Sequence, residues 1–142
     1  MPPSTERKLI IQFQKYLHPG YVQNACIDPD VPNSVAREAD LNEIFIVRVD
    51  LRHSGHYWFS NRRVLHEDSD GLRELLRYTA VQQVHWMFKD GFTDPRALAE
   101  GANFKRQYYD RLEIEVEDGL VVMEGLGQAY LPVLNFFRWI ND

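Results

Sequence analysis

Histidine supplies the first candidate chemistry in this sequence. His53-Ser54-Gly55-His56 is an H-x-x-H spacing at a turn, with His66 on the next extended segment and His85 on a later strand. Imidazoles joined by a carboxylate such as Glu67 or Asp68 form a ligand set for Zn²⁺ or another divalent ion. A centre built from His53, His56, His66 and His85 would suit a small metal-assisted hydrolase. Two features weigh against it. The pair is not on a helix and lacks the glutamate of the H-E-x-x-H protease pattern. His53 and His56 also flank a tight turn, which points them to opposite faces. Ordinary surface imidazoles are the plainer reading, and no cofactor is expected.

Nucleophile and phosphate chemistry find no support either. The chain contains no G-x-S-x-G, no G-x-x-x-x-G-K-[ST] and no G-x-G-x-x-G. Gly125-Leu126-Gly127 reads as a turn into a helix. Glu113, Glu115 and Glu117 alternate along a strand beside Arg111 and form a solvated face, whereas paired-carboxylate catalysis needs two carboxyls across a cleft. Cys26 is the only cysteine and has no basic neighbour to activate it, so it reads as a small apolar side chain.

Arg48, Arg52 and Arg62 are the candidates for receiving an anion. Arg62 and Arg63 are adjacent, so a strand turns them to opposite faces, and Asp50 lies between Arg48 and Arg52. Phosphoinositide recognition is therefore disfavoured. The net charge of -5, without a concentrated basic face, argues against a nucleic-acid partner. No apolar run reaches the length of a membrane span, and no signal-peptide core is visible, so a cytoplasmic location is expected.

The elements that must position these residues read as one mixed domain of 142 residues. Leu9, Ile10, Phe13, Tyr16 and Leu17 follow helical spacing after Ser4 or Thr5, and His18-Pro19-Gly20 stops that helix. Residues 21–33, with their Asp-Pro and Val-Pro breaks, read as a loop. A short helix capped by Ser34 is expected to run toward Leu41. In the strand over residues 44–51, Phe45, Val47, Val49 and Leu51 share one face, opposite Ile44 and Ile46. An aromatic strand, His56-Tyr57-Trp58-Phe59, follows the Gly55 turn.

Beyond it, residues 63–66 resume an extended segment, and Asp68-Ser69-Asp70-Gly71 is a turn. Residues 72–78 fit either one helical turn or a further strand. Val84, Trp86 and Phe88 alternate as a strand, and Pro95 opens a short helix ending at Gly101. Leu112, Ile114 and Val116 lead into a hairpin closed by Asp118-Gly119, with Leu120-Val121-Val122-Met123 returning. Val133, Leu134, Phe136, Phe137 and Ile140 make a broad apolar helix face, with Pro132 in its first turn.

The run Tyr57-Trp58-Phe59-Ser60-Asn61-Arg62-Arg63-Val64-Leu65 resembles the bacterial pleckstrin-homology-like (PH-like) pattern, in which an aromatic strand meets a Ser/Thr-Asn-x-Arg turn. Tyr78-Thr79-Ala80-Val81-Gln82-Gln83-Val84 is similar to a segment that those domains place a strand later. The resemblance covers residues 43–140 apart from an insertion at 91–104. It implies an α+β, mostly β fold: a PH-like barrel or a strongly bent antiparallel meander, with a C-terminal helix and an N-terminal helical extension over residues 1–42.

The resemblance, with the missing catalytic motifs, leads to a non-catalytic binding or assembly module recognising a protein or peptide. PH-like domains hold peptides between the C-terminal helix and a sheet edge, which makes Tyr130, Phe136 and Trp139 the expected contact residues; burial in the core is the plainer role for all three. The alternatives are the His-based hydrolase and an acidic inhibitor or immunity-type protein. Apolar Ile44 and Ile46 need cover, from the N-terminal helix or from a second copy, and the first is favoured. A monomer or weak homodimer is expected.

Overall fold

A computed structural model describes residues 3–16, 22–52, 55–88 and 109–141. Strand β2 (Phe45–Asp50) shows how the chain departs from simple alternation. Phe45 pairs with Ser60 and Val47 with Phe59, so one extra residue sits between them as a β-bulge. A bulge turns the side chains on either side of it out of register. Ile46 and Val47 consequently both enter the main core, at 3% and 0% exposure. Phe45 turns to the opposite face, edge-on to Trp58 at 6.0 Å. The expected two-faced strand is thereby corrected: Ile46 shares the core face with Val47 and Val49, and Ile44 is exposed.

The element order is α1 (Pro3–Tyr16), β1 (Ala25–Ile27), α2 (Asn33–Ala36), β2, β3 (His56–Ser60), β4 (Arg63–Asp68), β5 (Gly71–Arg77), β6 (Val81–Phe88), β7 (Tyr109–Val116), β8 (Gly119–Glu124) and α3 (Tyr130–Asn141). All strand pairs are antiparallel, in a five-stranded sheet ordered β1-β2-β3-β4-β5 and a three-stranded sheet ordered β6-β7-β8. The fold is α+β and mostly antiparallel strand, with a C-terminal helix. Among the described residues the sheets do not close into a barrel. The meander breaks at a 3-10 turn, Tyr78–Ala80, that carries the chain from one sheet to the other. Tyr78 anchors this corner: its N–H donates to Arg62 O at 3.1 Å and its hydroxyl to Ser60 O at 2.7 Å.

Residues 72–78, ambiguous by pattern, are mostly strand, because β5 completes a ladder with β4. Three local expectations need correction. Ala25–Ile27, read as loop, pairs with β2. Helix α1 begins at Pro3, so Ser4 and Thr5 lie inside it, and α2 is a single turn that ends at Ala36. The expected helix after Pro95 and the His18-Pro19-Gly20 stop lie outside the described residues.

The main core lies between the two sheets and beneath α1 and α3. Phe13 of α1 stacks on Phe136 of α3 at 4.3 Å and meets Phe59 edge-on at 5.5 Å. Val35 of α2 is buried on the other face of the large sheet, with Trp58 and Leu65. The segment before β2 thus covers both faces of that sheet. No described helix is long and apolar enough to cross a membrane.

The turn between β3 and β4 is held by a buried charge pair. Arg63 donates through Nε to both Glu43 carboxylate oxygens, at 3.2 and 2.9 Å, and through an Nη to Oε1 at 2.9 Å. The side chains are 10% and 0% exposed. The Ser60 hydroxyl lies 2.6 Å from Glu43 Oε2 and accepts the N–H groups of Arg62 and Arg63 at 3.0 Å each. Arg63 also reaches Glu38 O at 2.7 Å and Glu74 Oε1 at 3.0 Å.

Burial by itself pushes the Glu43 carboxyl up. Hydrogen bonds from Arg63, Ser60 and the Asp40 N–H outweigh it and hold the group below its ordinary 4.5. A depressed carboxyl stabilises the fold fully above the unfolded value and loses that contribution as pH falls through the folded value. Chemical denaturation should therefore show stability declining as pH drops below about 4.5. Glu43→Ala should cost about 3–5 kcal/mol at neutral pH by stranding Arg63, and should flatten that acid decline.

Candidate functional site

The β7–β8 hairpin closes with Val116 opposite Gly119. In an antiparallel ladder, alternate residues turn their backbone groups away from the partner strand. On β8 these are Leu120, Val122 and Glu124, and β8 is the terminal strand of its sheet. The Tyr57 hydroxyl satisfies the last of them: it accepts Glu124 N–H at 3.1 Å and lies 3.4 Å from Glu124 O. Leu120 and Val122 have no strand opposite them on that side among the described residues. Their side chains are also 53% and 40% exposed.

A groove of about 390 Å³ runs beside this edge. Val122, Glu124 and Gly125 form one wall; Leu51, just past the end of β2, and Tyr57, His66, Arg73 and Leu75 of the larger sheet form the other. The volume is within the range of ligand-binding clefts, about 300–1,000 Å³. Gly125, at φ +72°, makes the left-handed turn out of β8, and its carbonyl accepts Arg52 N–H at 2.9 Å. That bond ties the end of β8 to the end of β2.

Strand register builds the polar part of the groove. Tyr57 is opposite His66, and His66 opposite Arg73, so the three form one row across β3, β4 and β5. Tyr57 and His66 rings lie 5.0 Å apart. An Arg73 Nη is 2.7 Å from His66 Nδ1. A guanidinium only donates, so Nδ1 must accept and the ring proton sits on Nε2. Burial, then the Arg73 charge, holds the His66 pKa below its ordinary 6.5 against the opposing pull of Asp68. The second Nη of Arg73 bonds Asp68 Oδ2 at 2.8 Å. Burial pushes the Tyr57 hydroxyl up, so it stays protonated at neutral pH.

The histidines expected to share a metal are spread apart. His66 is in the groove. His56 faces the other side of the large sheet, with Nδ1 2.8 Å from Asp50 Oδ1. His85 is in the smaller sheet, 3.5 Å from Glu115. His53 lies outside the described residues. Among the described residues no group of three or more His, Cys, Asp or Glu is placed to hold a metal ion. Strand pleating is the reason: His56 and His66 are one register step out of phase and point to opposite faces.

The expected anion residues also separate. Arg48 bonds Asp50 Oδ1 at 2.9 Å. Arg52 lies beyond the Asp50–His56 end of the β2–β3 pair, and Arg62 beyond its Phe45–Ser60 end. The α3 aromatics are largely spent on the core. Tyr130 and Phe136 are 4% and 1% exposed, and Trp139 is half-buried against the same cluster. Helix α3 packs its aromatic face inward because both β6 and α1 lie against it.

Pattern reading missed Tyr57, Arg73, Leu75, Val122 and Glu124 as groove residues. One signal was available: Leu120-Val121-Val122-Met123 is apolar on both faces, while β7 opposite is charged on its outer face. No protein-family model matches the chain, and no curated protein is similar to it in sequence.

The tautomer offers a direct check. In ¹⁵N-resolved spectra His66 should be Nε2-protonated and titrate below 6.5. Arg73→Gln should move its midpoint upward; an unchanged midpoint would remove Arg73 as a cause.

Proposed function

We propose that this protein is a non-catalytic binding module that takes up an extended segment of a partner protein beside β8. The single observation that carries this reading is the coincidence of a strand edge, unpaired among the described residues, with a groove. An incoming strand would hydrogen-bond to the outward N–H and C=O groups of Leu120 and Val122. Its alternate side chains would settle against Leu51, Leu75 and Val122. Strand addition derives affinity from main-chain bonds and specificity from such alternate pockets. A PH-like relationship over residues 43–140 is part of the proposal, and the bent antiparallel meander with its C-terminal helix is compatible with it. The contact residues move from α3 to the β8 edge, since Tyr130 and Phe136 are buried.

A displayed random-peptide library panned against the protein should yield binders that shift the Leu120 and Val122 amide resonances. Val122→Pro removes an outward N–H while sparing the β7–β8 ladder, a substitution that strand edges tolerate. It should weaken those peptides about tenfold, the effect of losing a main-chain bond and blocking close approach, with little change in thermal midpoint. Val122→Thr keeps the N–H and should weaken binding less than Val122→Pro does. Selected peptides indifferent to Val122→Pro, or a selection yielding none, would overturn the assignment.

A further inference from the structure

The two ends of the β8 edge bear on what the partner segment carries. Resting on the strand-addition reading, we infer that the captured segment is apolar or neutral at its centre and bears a Lys or Arg at each flank. One cation lies beside Glu124 and the other beside the turn that opens β8. Glu117 and Asp118 form that turn, and both are exposed. No cation pairs with either of them among the described residues. At the other end the Glu124 side chain is 64% exposed, and its one ion pair among the described residues is with an Arg111 Nη at 3.9 Å.

Each charge at the groove counts once. Arg111 lies closer to Glu113, at 3.0 Å, so a single guanidinium serves two carboxylates and a negative charge remains at the Glu124 end. Arg73, on the facing wall, is bound to Asp68 at 2.8 Å, and that pair adds no net charge. Arg52 meets this end through its backbone, N–H to Gly125 O, and forms no ion pair with Glu124. The edge is therefore apolar at Leu120 and Val122 and acidic on both sides of them.

Strand geometry converts that pattern into a partner. An antiparallel strand paired with Leu120 and Val122 brings its next same-face side chains beside Glu124 at one end and Asp118 at the other. Opposite charges facing each other across neighbouring strands favour pairing, and like charges oppose it. A second copy of this chain meets the unfavourable case. Two β8 strands paired antiparallel about Val121 would set Leu120 of each copy against Val122 of the other and Glu124 against Asp118, acid facing acid. Each chain also brings a net charge of -5.

Capped heptapeptides Xaa-Val-Thr-Val-Thr-Val-Xaa, with Xaa as Lys, Gln or Glu, provide the probe. In register their Thr positions sit opposite Leu120 and Val122, and their Val positions turn toward Leu51 and Leu75. Titrations followed by the Leu120 and Val122 amides at low ionic strength should give the Lys peptide an affinity about fivefold above the Gln peptide, with the Glu peptide weakest. In about 1 M salt that preference should fall below about twofold, since the Debye length is then about 3 Å. Glu124→Gln should lower the preference to about twofold, and adding Glu117→Gln and Asp118→Asn should abolish it, with β8 amide shifts retained for every peptide. Asp30→Asn, which removes the same charge from the loop before α2, should leave it near fivefold, at about the parent value.

Equal affinities for the three peptides, or a preference for Glu, with β8 amides still shifting, would overturn the basic flanks and leave strand addition standing. A Lys preference that survives the triple substitution would do the same. Peptides that leave Leu120 and Val122 undisturbed would overturn both. Concentration-dependent shifts of those amides in the protein alone, with a doubled sedimenting mass, would put a second copy on the edge. Slow exchange of those amides in the monomer would put another segment of this chain there. Either result would overturn the peptide reading.

Discussion

The buried pair of Glu43 and Arg63 is the contact on which the larger sheet depends. It joins the segment just before β2 to the start of β4, and Arg63 extends the link to Glu38 O and to Glu74 on β5. Two charges at 0% and 10% side-chain exposure are tolerable only when their hydrogen bonds are satisfied. Here the carboxylate receives Arg63, Ser60 and the Asp40 N–H. Arginine suits the role because its planar fork meets both carboxylate oxygens while other N–H groups reach further partners. Asn61 adds a backbone clamp beside the pair, its N–H donating to Ile44 O and its Oδ1 accepting from Ile44 N–H, each at 3.0 Å. The β3–β4 turn is therefore pinned to the entry of β2.

Register follows from that pinning. With Ser60 opposite Phe45, the bulge places Ile46 and Val47 together in the core and sends Phe45 to Trp58. Tyr57 faces His66 in the β3–β4 ladder, and a second register shift, between Val64 and Leu65 in the β4–β5 ladder, sets His66 opposite Arg73. A one-residue slip would move these side chains to the opposite face. The polar row of the groove thus depends on the β3–β4 register pinned at the turn and on the shift within β4 that follows it.

The two terminal strands beside the groove manage their edges differently. Strand β5 carries Arg73, Glu74 and Arg77, and charges on an edge strand discourage pairing with other chains. Strand β8 presents exposed Leu120 and Val122, with Glu124 only at its end. An apolar edge of this kind is a liability unless something occupies it. Tyr57 covers the end of the edge by bonding the Glu124 backbone, and the portion with no partner strand among the described residues begins where the groove does. Shielding on the remaining faces falls to the segment before β2: Leu9 and Phe13 enter the main core, while Val35 covers Trp58 on the reverse side.

What the sequence determined by itself was local. The β7–β8 hairpin was legible because period-two alternation and a turn signal act over adjacent residues, although the two turn residues are Glu117 and Asp118, not Asp118 and Gly119, and Gly119 opens β8 opposite Val116. The apolar face of α3 was legible from its helical period, and the mixed, mostly β character from the succession of such segments. The three-residue strand at Ala25–Ile27 has no pattern of its own and exists because β2 offers it an edge. The bulge at Phe45/Val47 breaks the alternation from which it would have been read. Histidine spacing identified His66 but grouped it with His56, since spacing along a chain does not record which face a strand presents after pairing. Arg73 and Tyr57 became its neighbours only through cross-strand register, and Glu43 met Arg63 across twenty positions of sequence. Tertiary structure decided those contacts because a hydrogen-bonded ladder and a buried charge pair join residues whose separation in the chain carries no local signal.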